Sequence, residues 1–175
     1  MKDMLILVDP GDHVLGYAEK MACHVGEGVL HRAFSIFIFN SKKELLLQKR
    51  AEEKPLWPGF WSNSVCSHPR KGETVAEAAD RRIVEEIGIS ARLTYLFKFQ
   101  YQARFGDVGS ENELCSVFYG FSDDVVTVDP AEIAEYRYVS VDDLNRDLEV
   151  NQGMYTPWFK IEWRRIRDEF LDDIL

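Results

Sequence analysis

Short apolar runs separated by turn residues make up the first half of the chain. Residues 4 to 8 (Met-Leu-Ile-Leu-Val) predict a strand, and Asp9-Pro10-Gly11-Asp12 turns it into a second strand near 14 to 18. An aromatic strand is expected over 33 to 39, and the turn Asn40-Ser41-Lys42-Lys43 leads to its partner at 44 to 50. Residues 54 to 72, broken by proline, glycine and tryptophan, read as loop with short extended pieces. The period then changes to that of a helix. Thr74-Val75-Ala76-Glu77 is a capping box, Gly88 is the stop signal, and the apolar stripe is Ala76, Ala79, Ile83 and Ile87. Two long strands follow, about 91 to 104 and 113 to 121, joined by a glycine-rich turn at 105 to 110. A short strand near 135 to 139, a short helix from Ser140 and a C-terminal helix from Thr156-Pro157 complete the pattern, with Pro157 at a position that suits a first helical residue. Strands with few helices and no strict βα alternation indicate an α+β class.

Composition narrows this to a soluble globular chain. The sequence has 175 residues, of which 46% are hydrophobic and 29% charged, which suits one domain spanning 1–175 with a full core. No apolar stretch approaches the length of a membrane span, and the N-terminus lacks a secretory signal, so no membrane association is expected. The net charge of -9, from 30 acidic and 21 basic residues, argues against a nucleic-acid partner. A small anionic substrate would need local cations or metal. Three cysteines make a disulfide framework improbable and point to a cytoplasmic, reducing location.

Three constellations could carry chemistry. Glu85-Glu86 at the C-terminal end of the capped helix oppose its dipole and need cations or solvent; taken alone they read as solvated surface acids. In Trp57-Pro58-Gly59-Phe60-Trp61-Ser62-Asn63-Ser64-Val65-Cys66-Ser67-His68-Pro69, an extended backbone points Cys66 and His68 the same way. That run is either a thiol beside a metal-bound imidazole or a small buried hydrophobe among core aromatics. In Glu111-Asn112-Glu113, a strand puts both carboxylates on one face, where they repel unless solvated or bridged by a cation. With His24, His31 and His68 they make a nitrogen and oxygen set suited to a divalent metal. His13, in its Gly-Asp-His turn, is left over.

The segment from Ser67 to Ile89 resembles the Nudix signature, Gly-x5-Glu-x7-Arg-Glu-U-x-Glu-Glu-x-Gly-U with U aliphatic. Glu73, Arg81, Ile83, Glu85, Glu86, Gly88 and Ile89 match it, while Ser67 replaces the first glycine and Arg82 the glutamate after the arginine. Together with His24, Leu30-His31-Arg32-Ala33-Phe34-Ser35, the Trp57-to-Pro69 run and Glu111-Asn112-Glu113, the chain from about Met4 to Trp163 resembles the type I isopentenyl-diphosphate isomerases. An arginine at position 82 is what that family carries.

The resemblance implies a Nudix fold, with mixed β-sheets sandwiched between helices in a single domain. It implies interconversion of isopentenyl and dimethylallyl diphosphate. His24, His31, His68, Glu111 and Glu113 would hold one Mn²⁺, Zn²⁺ or Mg²⁺. Glu86 and the Cys66 carbonyl would share a Mg²⁺ with the substrate diphosphate, and no flavin is implied. Lys20, Arg50, Lys54 and Arg82 align with diphosphate-binding cations. Cys66 and Glu113 would be the acid/base pair, Tyr101 would assist proton delivery, and Trp158 would stack on the hydrocarbon. The partner is a small prenyl diphosphate, with the protein a monomer or weak homodimer. Trp57, Phe60, Trp61 and Trp158 are expected to line a dry cavity, with Met154 to Trp158 as a lid. Two other readings remain: a Nudix pyrophosphohydrolase, and a metal-binding module without turnover.

Overall fold

Residues 3–175 are described by the structure, a computed structural model. Met1 and Lys2, which the N-terminal and single-domain readings include, lie outside the described residues. The first two strands form an antiparallel hairpin, β1 (Met4–Val8) and β2 (Val14–Glu19). A one-turn helix, α1 (Lys20–Cys23), follows it; no periodic signal foretold so short an element. The aromatic strand β3 (His31–Phe39) begins two residues earlier than expected, so His31 is part of the sheet. β4 (Leu45–Arg50) pairs with it across the Asn40–Lys43 turn, and the tryptophan-rich loop contains two short strands, β5 (Trp61–Ser62) and β6 (Val65–Ser67).

The capped helix α2 spans Val75–Ile87, with Thr74 and Glu77 forming the reciprocal box and Gly88 in the left-handed conformation. Its buried face corrects the expected stripe. Val75, Ala79, Arg82 and Glu86 form one inward row flanked by Ala78, Ile83 and Ile87, while Ala76 is exposed. The inward face therefore includes two charged residues, which a count of apolar positions cannot show. The two long strands β7 (Thr94–Phe105) and β8 (Gly109–Phe121) form a ribbon, with β8 beginning four residues before the expected start. β9 (Ile133–Val139) pairs with β4, and α3 (Val141–Asn151) is capped by Ser140. A 3₁₀ turn (Gln152–Met154) then leads into α4 (Pro157–Arg165), a π turn (Ile166–Phe170) and α5 (Leu171–Ile174).

All nine strands among the described residues belong to one mixed sheet, and β3 is at its centre. The other pairings are antiparallel, but β3 and β8 run parallel, with His31 opposite Glu113 and Phe39 opposite Phe121. A strand enclosed in this way is apolar on both faces, which is why β3 reads as a continuous run rather than an alternating one. Phe34, Ile36 and Ile38 pack toward α2, with Ala78, Ala79, Ile83 and Ile87. Phe37 and Phe39 face the other layer, where Trp158, Phe159 and Trp163 of α4 lie against them. Helices on both faces of a mixed sheet are the α+β sandwich expected.

Candidate active site

The parallel pairing aligns the start of β3 with the acidic segment of β8. His31, at the head of β3, is fully buried, and its Nδ1–H donates to the Val29 carbonyl at 2.7 Å. His24, just after α1, donates its Nδ1–H to the Lys20 carbonyl at 2.6 Å. Both bonds fix the tautomer that leaves Nε2 with a bare lone pair toward the cluster. His68 follows β6. Among the described residues, ligand atoms of His24, His31, His68 and Glu111 all lie within 4.8 Å of one another. Glu111 Oε2 is 2.9 Å from His24 Nε2, and Glu113 Oε2 is 2.8 Å from His68 Nε2 and 3.7 Å from His31 Nε2. Lone pairs aimed at carboxylates at these distances need a proton or a cation between them.

The electrostatics point to a cation. The His31 Nε2 atom is buried with no hydrogen-bond partner. Burial and the charge of its neighbours bring His31 down to about 4 and push His68 well below the ordinary imidazole range, so both stay neutral and able to ligate. Burial and the adjacent Glu111 charge raise Glu113. Burial pushes Glu111 up as well, but its bond to His24 and the charges of His24, His31 and Arg50 together hold it down. Two carboxylates on one strand face with opposite shifts mark a cluster short of positive charge. The donor set, three imidazoles and carboxylates, matches a divalent metal.

Beside this cluster opens a cavity of about 170 Å³. Eleven of the expected residues line it: Lys20, His24, Arg50, Lys54, Cys66, His68, Arg82, Glu86, Glu111, Glu113 and Trp158. Tyr101 and His31 lie behind its wall. Tyr101 stands opposite Glu113 in the β7–β8 register and donates its hydroxyl to that carboxylate. Burial and Glu113 hold the Tyr101 hydroxyl well above its usual range, so it remains a donor. Cys66 Sγ donates to Asn63 Oδ1 at 3.4 Å, and burial pushes the thiol up to about 12, so it keeps its proton at neutral pH.

Four cations line the cavity. Arg50 is fixed by bonds from its guanidinium to the carbonyls of Leu56 and Trp57, at 2.8 to 3.2 Å, with Cζ 5.2 Å from the Trp158 ring centroid. Burial, with the charge of Lys54, pulls Lys20 down. Arg82 binds Glu86 through Nε at 3.0 Å and again through Nη2. Glu86 is therefore no solvated surface acid: it is 2% exposed and neutralised by the residue one turn before it. Glu85 is exposed and binds Arg81 and Arg82.

Two site residues escaped the sequence reading. Glu132, before β9, lines the cavity, binding Lys54 at 2.5 Å and lying 3.4 Å from Arg82. A carboxylate in a loop carries no signal until the fold surrounds it with cations. Glu162, in α4 one turn after Trp158, is treated below. The aromatic expectation needs correction as well, because only Trp158 lines the cavity. Trp57 packs edge-on behind it at 5.3 Å and Phe60 packs against Phe105. Trp61 lies in β5 beneath Arg137. Aliphatic side chains, from Met21, Val25, Leu56 and Val108, supply most of the rest of the rim, with Pro55 and Ser67. The expected lid is fastened to the sheet: Thr156 bonds through its N–H to the Trp61 carbonyl and through its hydroxyl to Ser62, each at 2.9 Å. His13 is exposed and held by Asp9, apart from the cluster.

Comparison with known proteins gives the family. A family model described as NUDIX domain matches residues 29–159. The chain is 43% identical over 172 residues to isopentenyl-diphosphate Delta-isomerase 1 of Photorhabdus laumondii, covering 97% of this chain and 98% of that protein. It is 35% identical to the isopentenyl-diphosphate delta-isomerase of Schizosaccharomyces pombe, covering 92% of this chain and 80% of that protein. Among solved structures, DR0079 from Deinococcus radiodurans superposes with a TM-score of 0.75 at 22% identity, over 93% of this chain and 98% of that one, a likeness of fold. No helix among the described residues is long and apolar enough to cross a membrane.

Proposed function

The chain belongs to the NUDIX family and, within it, to the isopentenyl-diphosphate Delta-isomerases; from that premise we propose how its cavity performs the reaction. The reaction moves a double bond between isopentenyl and dimethylallyl diphosphate. An isolated alkene is a weak base, so protonation at C4 must create a tertiary cation at C3, and loss of a proton from C2 completes the shift. Two proton-carrying groups are required, one giving and one receiving. The observation that carries this reading is one cavity lined by a protonated thiol, Cys66, a carboxyl, Glu113, four cationic side chains and an indole.

Cys66 and Glu113 serve as the acid/base pair. The reaction runs both ways, so each gives a proton in one direction and takes one in the other. Tyr101 keeps its hydroxyl on Glu113 and supplies or accepts that group's proton. The face of Trp158 attracts the positive charge at C3 by cation–π interaction, which strengthens where water is excluded. Lys20, Arg50, Lys54 and Arg82 bind the diphosphate, and the carbonyl bonds of Arg50 keep it from collapsing onto the carboxylates when the pocket is empty of substrate. His24, His31, His68, Glu111 and Glu113 would hold one divalent ion (Mn²⁺, Zn²⁺ or Mg²⁺), and Glu86 with the Cys66 carbonyl would hold the Mg²⁺ that accompanies the diphosphate. When bound, these ions supply the positive charge that compensates the clustered carboxylates and the phosphate oxygens. The partner is thus a small prenyl diphosphate.

The protein is tested with isopentenyl diphosphate and Mg²⁺ in D₂O, followed by NMR. Dimethylallyl diphosphate carrying deuterium at the exchanging carbons is expected. Its absence would refute the isomerase reading, and release of phosphate without a double-bond shift would select a hydrolase instead.

A further inference from the structure

Beneath the cavity floor is an acid that the mechanism above does not use. Glu162 is 0% exposed. One turn before it in α4 is Trp158, whose ring lines the cavity. Glu162 Oε1 accepts a hydrogen bond from Ser35 Oγ at 2.6 Å and a weaker one from Cys115 Sγ at 3.6 Å, while Oε2 is buried with no partner. Ser35 is in β3, opposite Cys66 in the register with β6, and Cys115 is in β8, two residues after Glu113. Glu162 therefore ties the helix that carries the indole to β8, which carries Glu113, and to β3, which pairs with the strand that carries Cys66.

The charge balance around it is unusual. The groups facing Glu162 are the Ser35 hydroxyl from β3, the Cys115 thiol and, farther off, the Glu113 carboxyl from β8, and the Cys66 thiol from β6. Among the described residues no lysine, arginine or histidine pairs with it. Ionising a fully buried carboxyl without a cation is costly, so such a group stays neutral well above the ordinary carboxyl range. Burial, only partly offset by the bonds from Ser35 and Cys115, raises it to about 8. Its charge, once formed, would act on Cys66 and Glu113 and raise both.

We propose that Glu162 is a positioning residue for the isomerisation: as a neutral acid it holds α4 and Trp158 against β3 and β8, and its ionisation shuts the site down at alkaline pH. The proposal rests on Cys66 and Glu113 being the acid/base pair. While Glu162 is neutral, Cys66 and Glu113 are spared the rise that its charge would impose, and the indole stays in place. Once it is ionised, an uncompensated charge lies beneath the two proton carriers and strains the contact between α4 and the strands.

The test is the pH profile of kcat for the metal-loaded protein with saturating isopentenyl diphosphate, with metal content measured at every pH. The native protein should lose about tenfold in kcat between pH 7 and pH 9, as expected for one group titrating near 8. Glu162→Gln, neutral at every pH, should lose that alkaline limb. Ser35→Ala removes a donor that favours the ionised form, so it should move the limb to higher pH; it also provides the test if Glu162→Gln does not fold. A merely structural role would lower kcat equally at all pH values. An alkaline limb that coincides in native protein and both variants overturns the proposal. Failure of the native protein to isomerise at any pH would instead overturn the function on which it rests.

Discussion

Gly109 sits where β8 meets the loop that carries His24, and a single methyl group there should uncouple the metal cluster. The N–H of its neighbour Ser110 bonds to the His24 carbonyl at 2.9 Å, and the Ser110 hydroxyl bonds to the Gly26 carbonyl. A Cβ built on Gly109 would lie 2.3 Å from that His24 carbonyl oxygen, whereas such contacts essentially never fall below 3.0 Å. In Gly109→Ala the carbonyl must therefore retreat by about 0.7 Å, and it belongs to the residue whose imidazole is proposed as a ligand. Overpacking of this kind costs about 1–3 kcal/mol of stability. A displaced ligand costs roughly 10- to 100-fold in metal affinity or activity. Metal competition against a chromophoric chelator, read beside kcat/KM and thermal unfolding, measures both effects. Gly153→Ala is the control, since a Cβ at Gly153 meets nothing within 4 Å. If Gly109→Ala bound metal and turned over like the native protein, the close approach at His24 would not set the ligand's position.

Other perturbations probe the remaining parts of the site. Cys66→Ala and Glu113→Gln should each abolish deuterium incorporation while circular dichroism stays native; substantial turnover by either would remove that residue from the acid/base pair. Chelation should lower Tm, and restoring Mn²⁺ or Zn²⁺ at a hundredfold excess over Kd should recover about 2.7 kcal/mol; a Tm indifferent to chelator would contradict the metal cluster. Glu162 adds a pH dependence of stability. Its folded-state value of about 8 lies above the ordinary 4.5, so its contribution is complete below 4.5 and lost as pH rises through 8. Calorimetry should therefore show the native Tm falling across that window more than that of Glu162→Gln.

Features fixed by neighbouring residues could be read before the fold was known. The Thr74 box, the Gly88 stop and the two-residue spacing of Glu111 and Glu113 depend only on local geometry, and the structure keeps them all. Histidines 24, 31 and 68 could be grouped with the two strand carboxylates by donor chemistry alone, but no short ligand spacing links them, and their roles came only through resemblance. Features that arise from packing were not. The inward turn of Arg82 and Glu86 depends on which face of α2 the sheet covers. Glu132 becomes a site residue only because Lys54 and Arg82 close around it, and Glu162 only because α4 lies over Ser35. Trp57, Phe60 and Trp61 were misread for a related reason: aromatic side chains near a cavity in sequence serve equally well as the layer behind its wall.

The parallel pairing of β3 with β8 also constrains the protein during synthesis. His24 and Glu111 are 87 residues apart, and His68 and Glu113 are 45 apart. Such distant partners meet only after large loops close, which makes this step a late and slow one in folding. A nascent chain that has displayed all three histidines still lacks both carboxylates, so it has no complete metal cage until β8 has left the ribosome and docked. The histidine–carboxylate cluster is thereby assembled only once β8 has paired with β3, while β9 and the C-terminal helices are still to follow.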